Sequence, residues 1–361
     1  MDLPVGTVLG DSYRITRLMG IGGMGAIYEA EQIATGRRVA IKMMSRELSA
    51  HPEALARFRR EVKVTSELAH PHIVDVFDFG ASPTGEPYLV MEYHDGEDLE
   101  QRLERDGLVR LATAVEIVKQ LASALAVAHA EGIVHRDLKP GNVFLVNVEN
   151  AAVFVKVVDF GISKVLKAAT TKLTMARAVV GTPEFMSPEM AAGRVDLIDH
   201  RSDQWALACL SWHMLSGQLP FWKPDVNAIL DQVIGGEPTP LGPERAGRIP
   251  REVEKVIRRA LSKKREDRFP TITAFARAFE AAAAGAPARG AARAGRAAPP
   301  KRGHTGLWLS LGVVAALAGA GWMFREEIMS SQWWPGASDA RTTGPAHTTG
   351  DGDRPRRRSK H

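Results

Sequence analysis

The most informative segment of this 361-residue sequence is G-I-V-H-R-D-L-K-P-G-N-V-F-L, at Gly132–Leu145. It places Asp137, Lys139 and Asn142 within six positions, between two apolar segments. A simple turn between two strands also uses Asp, Pro, Gly and Asn. The segment alone is therefore compatible with a structural turn and with a polar functional loop, and other parts of the chain must distinguish the two.

A glycine motif near the start of the chain is the second signal. G-I-G-G-M-G-A-I-Y occupies Gly20–Tyr28, and its glycines would let the backbone approach phosphate groups closely. The same spacing occurs in dinucleotide-binding folds, where it leads from a strand into a helix and an acidic residue follows about 20 positions later. Here strand-like residues lie on both sides, and V-A-I-K follows at 39–42. This context favours a glycine hairpin with a lysine on the next strand, and it argues against a nicotinamide-dependent oxidoreductase.

Hydrophobic patterning divides the chain into two regions. Residues 13 to about 93 show short alternating segments typical of strands, with one stretch of helical spacing at 51–68. From about residue 99 to 281 the spacing is mostly helical, as in A-V-E-I-V-K-Q-L-A-S-A-L. A small strand-rich lobe followed by a larger helical lobe predicts an α+β fold.

At this point the chain resembles a protein kinase, and specifically a bacterial serine/threonine kinase of the eukaryotic-like, single-pass membrane type. The motifs G-I-G-G-M-G, V-A-I-K, H-R-D-L-K-P-G-N, D-F-G and S-P-E occur in the order known for that family. The resemblance covers about residues 13–280. It implies a bilobal fold with an N-lobe at about 13–93 and a C-lobe at about 94–280.

The resemblance implies a catalytic set. Asp137 would accept the proton of a substrate hydroxyl, and Lys139 would steady the transferring phosphoryl group. Lys42 would hold the α- and β-phosphates of ATP and pair with a helix carboxylate, for which Glu61 is the candidate and Glu67 a weaker competitor.

The resemblance also implies metal and nucleotide contacts. Asn142 and Asp159 would bind Mg²⁺, for which Mn²⁺ could substitute, and Met91 would be the gatekeeper before the hinge that reads adenine. The nucleotide contacts would come from the glycine hairpin, the lysine strand and the hinge: Met19, Gly20, Ile21, Gly22, Gly23, Met24, Gly25, Ala26, Ile27, Ala40, Lys42, Met91, Glu92 and His94.

Three further positions are implied to be structural. Glu189, in an S-P-E variant of the family's A-P-E motif, would pair with Arg268, and Asp203 would brace the catalytic loop. Lys139 in D-L-K-P-G-N and Thr182 in G-T-P-E-F are typical of serine/threonine rather than tyrosine kinases.

Arg136 directly precedes Asp137, which in this family is associated with control by phosphorylation of the activation loop. Thr171 and Thr174 are the preferred phosphorylation sites, with Thr170 nearby; solvated loop threonines are the alternative.

After Glu280 the composition changes. Residues 281–305 are rich in Ala, Gly, Pro and Arg and predict a flexible linker. Residues 306–324 contain no charge, would span about 28 Å as a helix, and carry Trp308 and Trp322 near the two ends. This pattern predicts one transmembrane helix, followed by a disordered extracytoplasmic tail at 325–361.

The flanking charges predict the membrane orientation. Five basic residues precede the apolar segment within 289–302, whereas Arg325 is followed at once by Glu326 and Glu327. The positive-inside rule then places the kinase domain in the cytoplasm, at the inner membrane. Small residues spaced by four, at Gly312, Ala316 and Ala320, could support a homodimer.

Net charge and cysteine content indicate which partners and site chemistries the chain is expected to lack. The net charge is +5, but the excess lies mainly around the apolar segment and in the last residues, so we expect no nucleic-acid partner. The single cysteine, Cys209, lies in an apolar run and is predicted to be a buried thiol. The sequence thus predicts an active kinase acting on Ser/Thr hydroxyls of proteins and autophosphorylating its activation loop, with a catalytically weak pseudokinase scaffold as the alternative.

Overall fold

A computed structural model of the chain describes residues 3–22, 25–44, 52–148, 153–160, 182–239 and 249–285. Within the first helix, the side chains of 52–54, 57–58 and 61 are outside this description. The predicted linker beyond residue 285, the transmembrane helix, the tail and the threonines at 171 and 174 also lie outside the described residues.

The N-lobe is a six-stranded sheet with one helix. Neighbouring strands in the order β1-β2-β3-β4-β6-β5 are antiparallel. The elements are β1 Val8–Leu9, β2 Tyr13–Gly22, β3 Gly25–Gln32, β4 Arg37–Met43, α1 Pro52–Ser66, β5 Val76–Ala81 and β6 Pro87–Glu92. One helix and a set of strands occupy the region that the sequence pattern predicts, 13 to about 93, although the sheet begins at Val8, before the expected start at residue 13.

The β2–β3 hairpin depends on a glycine at one position. Gly25 has a φ of +140°, and a Cβ built there would lie 1.8 Å from the carbonyl oxygen of Met43. Any other residue type would be strained at this φ and would also clash with the oxygen of Met43. This glycine therefore allows the hairpin to pack directly against the end of β4.

The C-lobe is helical. Its helices are α2 Leu99–Asp106, α3 Leu111–Ala130, α4 Pro188–Ala191, α5 His200–Ser216, α6 Val226–Gly235, α7 Arg251–Ala260 and α8 Ile272–Ala284. Within the described part of the chain, α3 is the one helix long and apolar enough to cross a membrane. Nine of its residues are buried in the lobe's hydrophobic cluster, so it is a core helix.

A small sheet supports the loops between the lobes. It consists of β7 Gly96–Asp98, β8 Val143–Val146 and β9 Phe154–Val157, in the order β7-β8-β9. The catalytic-loop segment lies directly before β8, through a 3₁₀ turn at Pro140–Asn142, and D-F-G follows β9. The small sheet therefore brings these two motifs side by side.

The predicted arrangement of a strand-rich lobe followed by a helical lobe is confirmed. One boundary differs, because α8 continues to Ala284, four residues into the segment expected to begin the linker. Residues 281–284 are all alanine, the strongest helix former, and they extend the helix before Gly285 ends it.

Candidate active site

The glycine motif lies on the β2–β3 hairpin. Gly22 pairs with Gly25, and Gly20 pairs with Ile27 across the two strands. Gly23 and Met24, which separate these strands in the sequence, are outside the described residues. The motif thus connects two strands, as its context in the sequence predicts, and does not lead into a helix.

Lys42 lies in the cleft beside this hairpin. On β4, Ala40 faces Met91 and Lys42 faces Leu89 on β6. Lys42 is 6% exposed, and its Nζ lies 2.5 Å from Oδ2 of Asp159. The structure thus joins Lys42 to the D-F-G carboxylate. The expected partner, Glu61, lies on α1, but its side chain is outside the description, so a Lys42–Glu61 pair stays a prediction.

The backbone of the catalytic loop is held by one buried carboxylate. Asp203, 1% exposed, accepts the backbone N–H groups of His135 and Arg136, each at 2.9 Å, and lies 2.7 Å from Nε2 of His129. Burial alone would raise the pKa of Asp203, but the hydrogen bond from His129 and the charges and amide nearby lower it. Arg136 has a φ of +66°, an uncommon conformation that these hydrogen bonds stabilise.

The polar side chains of the catalytic loop contact one another. Asn142 donates from Nδ2 to the backbone oxygen of Asp137 at 2.7 Å and to its Oδ2 at 3.2 Å. Lys139 Nζ lies 3.7 Å from the same Oδ2. The backbone oxygen of Asn142 accepts the N–H of Val158, which precedes Asp159. These contacts form a series in two parts, Lys139–Asp137–Asn142 and Asp159–Lys42, which are linked through the backbone hydrogen bond of Val158.

Thr182 is placed near this series. It lines a small recess together with Asp137, Lys139 and Arg136, directly before the 3₁₀ turn Pro183–Phe185. Thr182, the first described residue after Phe160, thus lies beside the catalytic loop.

A second buried ion pair lies at the end of β6. Glu92, the last residue of β6, has its Oε1 2.5 Å from Nζ of Lys156 and accepts the backbone N–H of Asp75 at 2.9 Å. Its Oε2 lies 2.8 Å from Nε2 of His94. Burial would raise the pKa of Glu92, but the nearby His94 ring and the hydrogen bonds from Lys156 and Asp75 lower it to about 2. Met91, before Glu92, is buried at 7% exposure.

The S-P-E motif is fixed by a bidentate ion pair. Arg268 donates from its two terminal nitrogens to the two carboxylate oxygens of Glu189, at 3.0 and 2.9 Å. Ser202 donates to the same carboxylate at 2.6 Å. Both charged side chains are almost fully buried, at 0% and 3% exposure. This pair joins α4 to the segment before α8.

Two site residues could not be found by motif. His129 and Lys156 belong to none of the motifs in the sequence, yet one contacts Asp203 and the other Glu92. Lys156 had a detectable signal, since it is a single charge inside the apolar run V-F-V-K-V-V. Such a lysine is 7% exposed here and needs an acidic partner.

Comparison with known proteins gives the family. The sequence pattern of the protein kinase domain family matches residues 13–279 of this chain. The chain belongs to the protein kinase family. It is of the bacterial serine/threonine type, because its relatives among the curated proteins are serine/threonine-protein kinases of bacteria.

The similarity covers most of this chain but not most of its relatives. The chain is 40% identical over 275 residues to the serine/threonine-protein kinase Pkn1 of Myxococcus xanthus, which covers 76% of this chain and 38% of the relative. It is 37% identical over 266 residues to PknB of Mycobacterium leprae, with 73% and 42% covered. The chain therefore spans less than two thirds of the length of these relatives.

A solved structure shows the same fold. The crystal structure of the Mycobacterium tuberculosis PknI kinase domain matches with a TM-score of 0.62 at 28% sequence identity. The match covers 78% of this chain and 100% of that one. The bilobal kinase fold of this chain is therefore supported by its sequence and by its structure.

Proposed function

We propose that this chain is an active kinase that transfers the γ-phosphoryl group of ATP to serine and threonine hydroxyls of proteins. The observation that carries the proposal is the two-part series of contacts, Lys139–Asp137–Asn142 and Asp159–Lys42, linked by the backbone hydrogen bond of Val158. Phosphoryl transfer requires mainly positioning and neutralisation of charge, and the series supplies two carboxylates, two ammonium groups and one amide for these tasks. Nothing in the comparisons supports the pseudokinase alternative.

Each residue of the series then has a role. Asp137 accepts the proton of the attacking hydroxyl, and the amide of Asn142 holds its carboxylate in place. Lys139, beside the same carboxylate, steadies the transferring phosphoryl group. Lys42 holds the α- and β-phosphates, and because its ammonium group has three N–H donors it can keep its contact with Asp159 while it does so.

The donor set suits Mg²⁺ or Mn²⁺. Because Asn142 uses its amide nitrogen toward Asp137, its amide oxygen is the atom available to a cation, and Asp159 supplies a carboxylate. The described residues hold no group of three or more His, Cys, Asp or Glu that could cage a metal ion. Two protein oxygens fit a cation that retains water and takes its other ligands from phosphate. When bound, the cation neutralises charge on the phosphate oxygens.

Regulation and location complete the proposal. Autophosphorylation at Thr171 or Thr174 would add a charge that Arg136 could pair with. Residues 306–324 would anchor the chain in the inner membrane with the kinase domain in the cytoplasm, and the helix could also form a homodimer.

The proposal is tested by phosphotransfer with the full chain, purified in detergent. With γ-labelled ATP, Mg²⁺ and a generic basic protein, the parent should label threonine and serine residues. Asp137→Asn should lower the rate by about 10²- to 10⁴-fold, as expected for loss of a general base. Asp196→Asn, at an exposed position of the C-lobe, is the matched control and should leave the rate unchanged.

Two results would overturn this function. One is a parent chain that binds ADP but labels no protein, which is the behaviour of a scaffold. The other is an Asp137→Asn variant as fast as the parent, since Asp137 would then not be the base.

A further inference from the structure

Lys156 and Glu92 form a buried ion pair for which phosphoryl transfer itself gives no role. Their side chains are 8% and 10% exposed, and Nζ of Lys156 lies 2.5 Å from Oε1 of Glu92. Lys156 also donates to the backbone oxygen of Ile73 at 3.1 Å. The pair thus joins three separate segments: the end of β6, the connection before β5, and β9.

We propose that Lys156 and Glu92 are positioning residues for the adenine end of the nucleotide site. The inference rests on the proposed function, because it takes the segment 92–94 as the hinge that reads adenine. Neither side chain touches the nucleotide in this proposal. Their ion pair fixes the backbone of the hinge at the start of that segment.

The geometry around Asp75 shows how the hinge is fixed. The backbone N–H of Glu92 donates to the oxygen of Asp75 at 3.0 Å, and the N–H of Asp75 donates back to the Glu92 carboxylate at 2.9 Å. Both the main chain and the side chain of Glu92 are therefore hydrogen-bonded to Asp75. His94, two positions later, lies 2.8 Å from the other carboxylate oxygen. The carboxylate thus contacts both the start of the hinge and its third residue.

Strand β9 supplies the rigid support. The N–H of Val157 donates to the oxygen of His72 at 2.9 Å, and the N–H of Val74 donates to the oxygen of Val157 at 3.0 Å. Lys156 therefore projects from a strand that is already bonded to the connection before β5. Since Asp159 follows three residues later, the same strand supports the adenine end and the metal end of the cleft.

The electrostatics require the pair to act as a unit. Removing either partner leaves an uncompensated charge in a buried place, which is strongly destabilising and is relieved when the segment that carries the charge moves toward water. When Lys156 is replaced, the charge that remains is that of Glu92, and the segment that carries it is the hinge. When Glu92 is neutralised, the charge that remains is that of Lys156 on β9, and the hinge loses the ion pair that fixes it. A displacement of about 1 Å at a binding group is enough to reduce nucleotide binding or turnover strongly.

A purely structural pair is the competing explanation. It would lower the thermal stability of the variants but leave the affinity of the folded protein for nucleotide unchanged. The test must therefore measure affinity and stability in the same variants.

The experiment measures the dissociation constant of ADP and the melting temperature of the full chain in detergent. The variants are Lys156→Met, Glu92→Gln and Lys156→Arg, and the control is Lys119→Met. Lys119 pairs with Glu280 at 2.9 Å between α3 and α8, so the control removes a more exposed lysine–glutamate contact outside the nucleotide cleft. ADP is titrated once with Mg²⁺ and once with EDTA.

We expect Lys156→Met and Glu92→Gln to weaken ADP binding about tenfold, which corresponds to about 1.4 kcal/mol. The loss should be equal with Mg²⁺ and with EDTA, because the pair acts on adenine and not on the metal. Lys156→Arg keeps the charge and should retain most of the affinity, and Lys119→Met should bind like the parent. Glu92→Gln preserves shape, so it decides the question if Lys156→Met does not fold.

Three results would overturn the inference. ADP affinity within about twofold of the parent in both variants, with a lower melting temperature, would make the pair structural only. A loss seen only with Mg²⁺ would place its action at Asp159. If the parent did not bind ADP, the nucleotide site on which the inference rests would be refuted. By contrast, a parent that binds ADP and transfers no phosphate would refute the proposed function, while the expected affinity losses would still support the pair.

Discussion

One buried carboxylate holds the catalytic loop through its backbone. Asp203 accepts two consecutive amides, those of His135 and Arg136, and contacts His129 from the end of α3. Because Arg136 has a positive φ, the loop needs such external bonds to keep its shape. The position of Asp137, the next residue, therefore depends on a side chain far later in the sequence.

Asp203→Asn should reduce turnover without a comparable effect on ATP binding. An amide keeps the shape but cannot accept from all three donors as a carboxylate does, and a hydrogen bond to a charged group contributes about 1.5–3 kcal/mol. We expect kcat to fall about 10- to 100-fold, with the KM for ATP little changed. Steady-state kinetics measure both, and an equal rise in KM would contradict a role confined to the catalytic loop.

At the residue level, sequence motifs identify some residues of the site, and only the fold identifies others. Lys42 and Asp137 belong to short motifs that resemble those of the protein kinase family, and that resemblance was sufficient to propose a role for each. Lys156 and His129 act through contacts between segments distant in sequence, 64 positions for Lys156–Glu92 and 74 for His129–Asp203. Only the fold brings such partners together, so no local pattern could pair them.

Among the elements, the two sheets have different tasks. The large sheet positions the glycine hairpin and Lys42, and the small sheet places the catalytic loop beside D-F-G. Alternation and helical spacing were enough to predict a strand-rich N-lobe with one helix and a mostly helical C-lobe. The three short strands of the small sheet were not predicted, because segments of three or four residues are too short to show a period.

The ion pair between Glu189 and Arg268 should stabilise the C-lobe. Arg268→Met leaves a buried carboxylate without its partner, and we expect a loss of about 3–5 kcal/mol in the free energy of unfolding. Urea unfolding at pH 7 measures the change. Lys255→Met, from an exposed pair with Glu252, is the control and should change stability by less than about 1 kcal/mol.

The same pair predicts a pH dependence. Burial would raise the pKa of Glu189, but Arg268 and Ser202 lower it below its ordinary value of 4.5. A carboxyl with a lowered folded-state pKa stabilises the protein above pH 4.5 and loses that contribution as the pH falls through the folded-state value. Arg268→Met should therefore cost less stability in acid than at pH 7, and an equal cost at both would contradict the ionised pair.

At the scale of the whole molecule, the kinase domain accounts for residues 13–279 and the sequence continues beyond it. The apolar segment 306–324 predicts that the full chain sediments with membranes and is released by detergent but not by salt. A chain ending at residue 305 should remain in the soluble fraction. A full chain that stays soluble would contradict the membrane anchor.

Orientation can be measured with one added cysteine. Cys209 is buried and its pKa is raised by burial, so it should not react with an impermeant maleimide. Ser359→Cys would place a reactive thiol in the tail, and labelling in intact cells freed of their outer membrane would put the tail outside the cytoplasm. Labelling only after lysis would reverse the proposed orientation.

The most direct measurement is the initial rate of γ-phosphoryl transfer by the parent, Lys42→Met, Asp137→Asn and the double variant. Residues that serve one reaction step as a unit are strongly non-additive. We therefore expect each single variant to lose at least about 10²-fold and the double variant to be little slower than the slower single variant. Losses that multiply in the double variant, or a parent without activity, would contradict a single catalytic unit in this cleft.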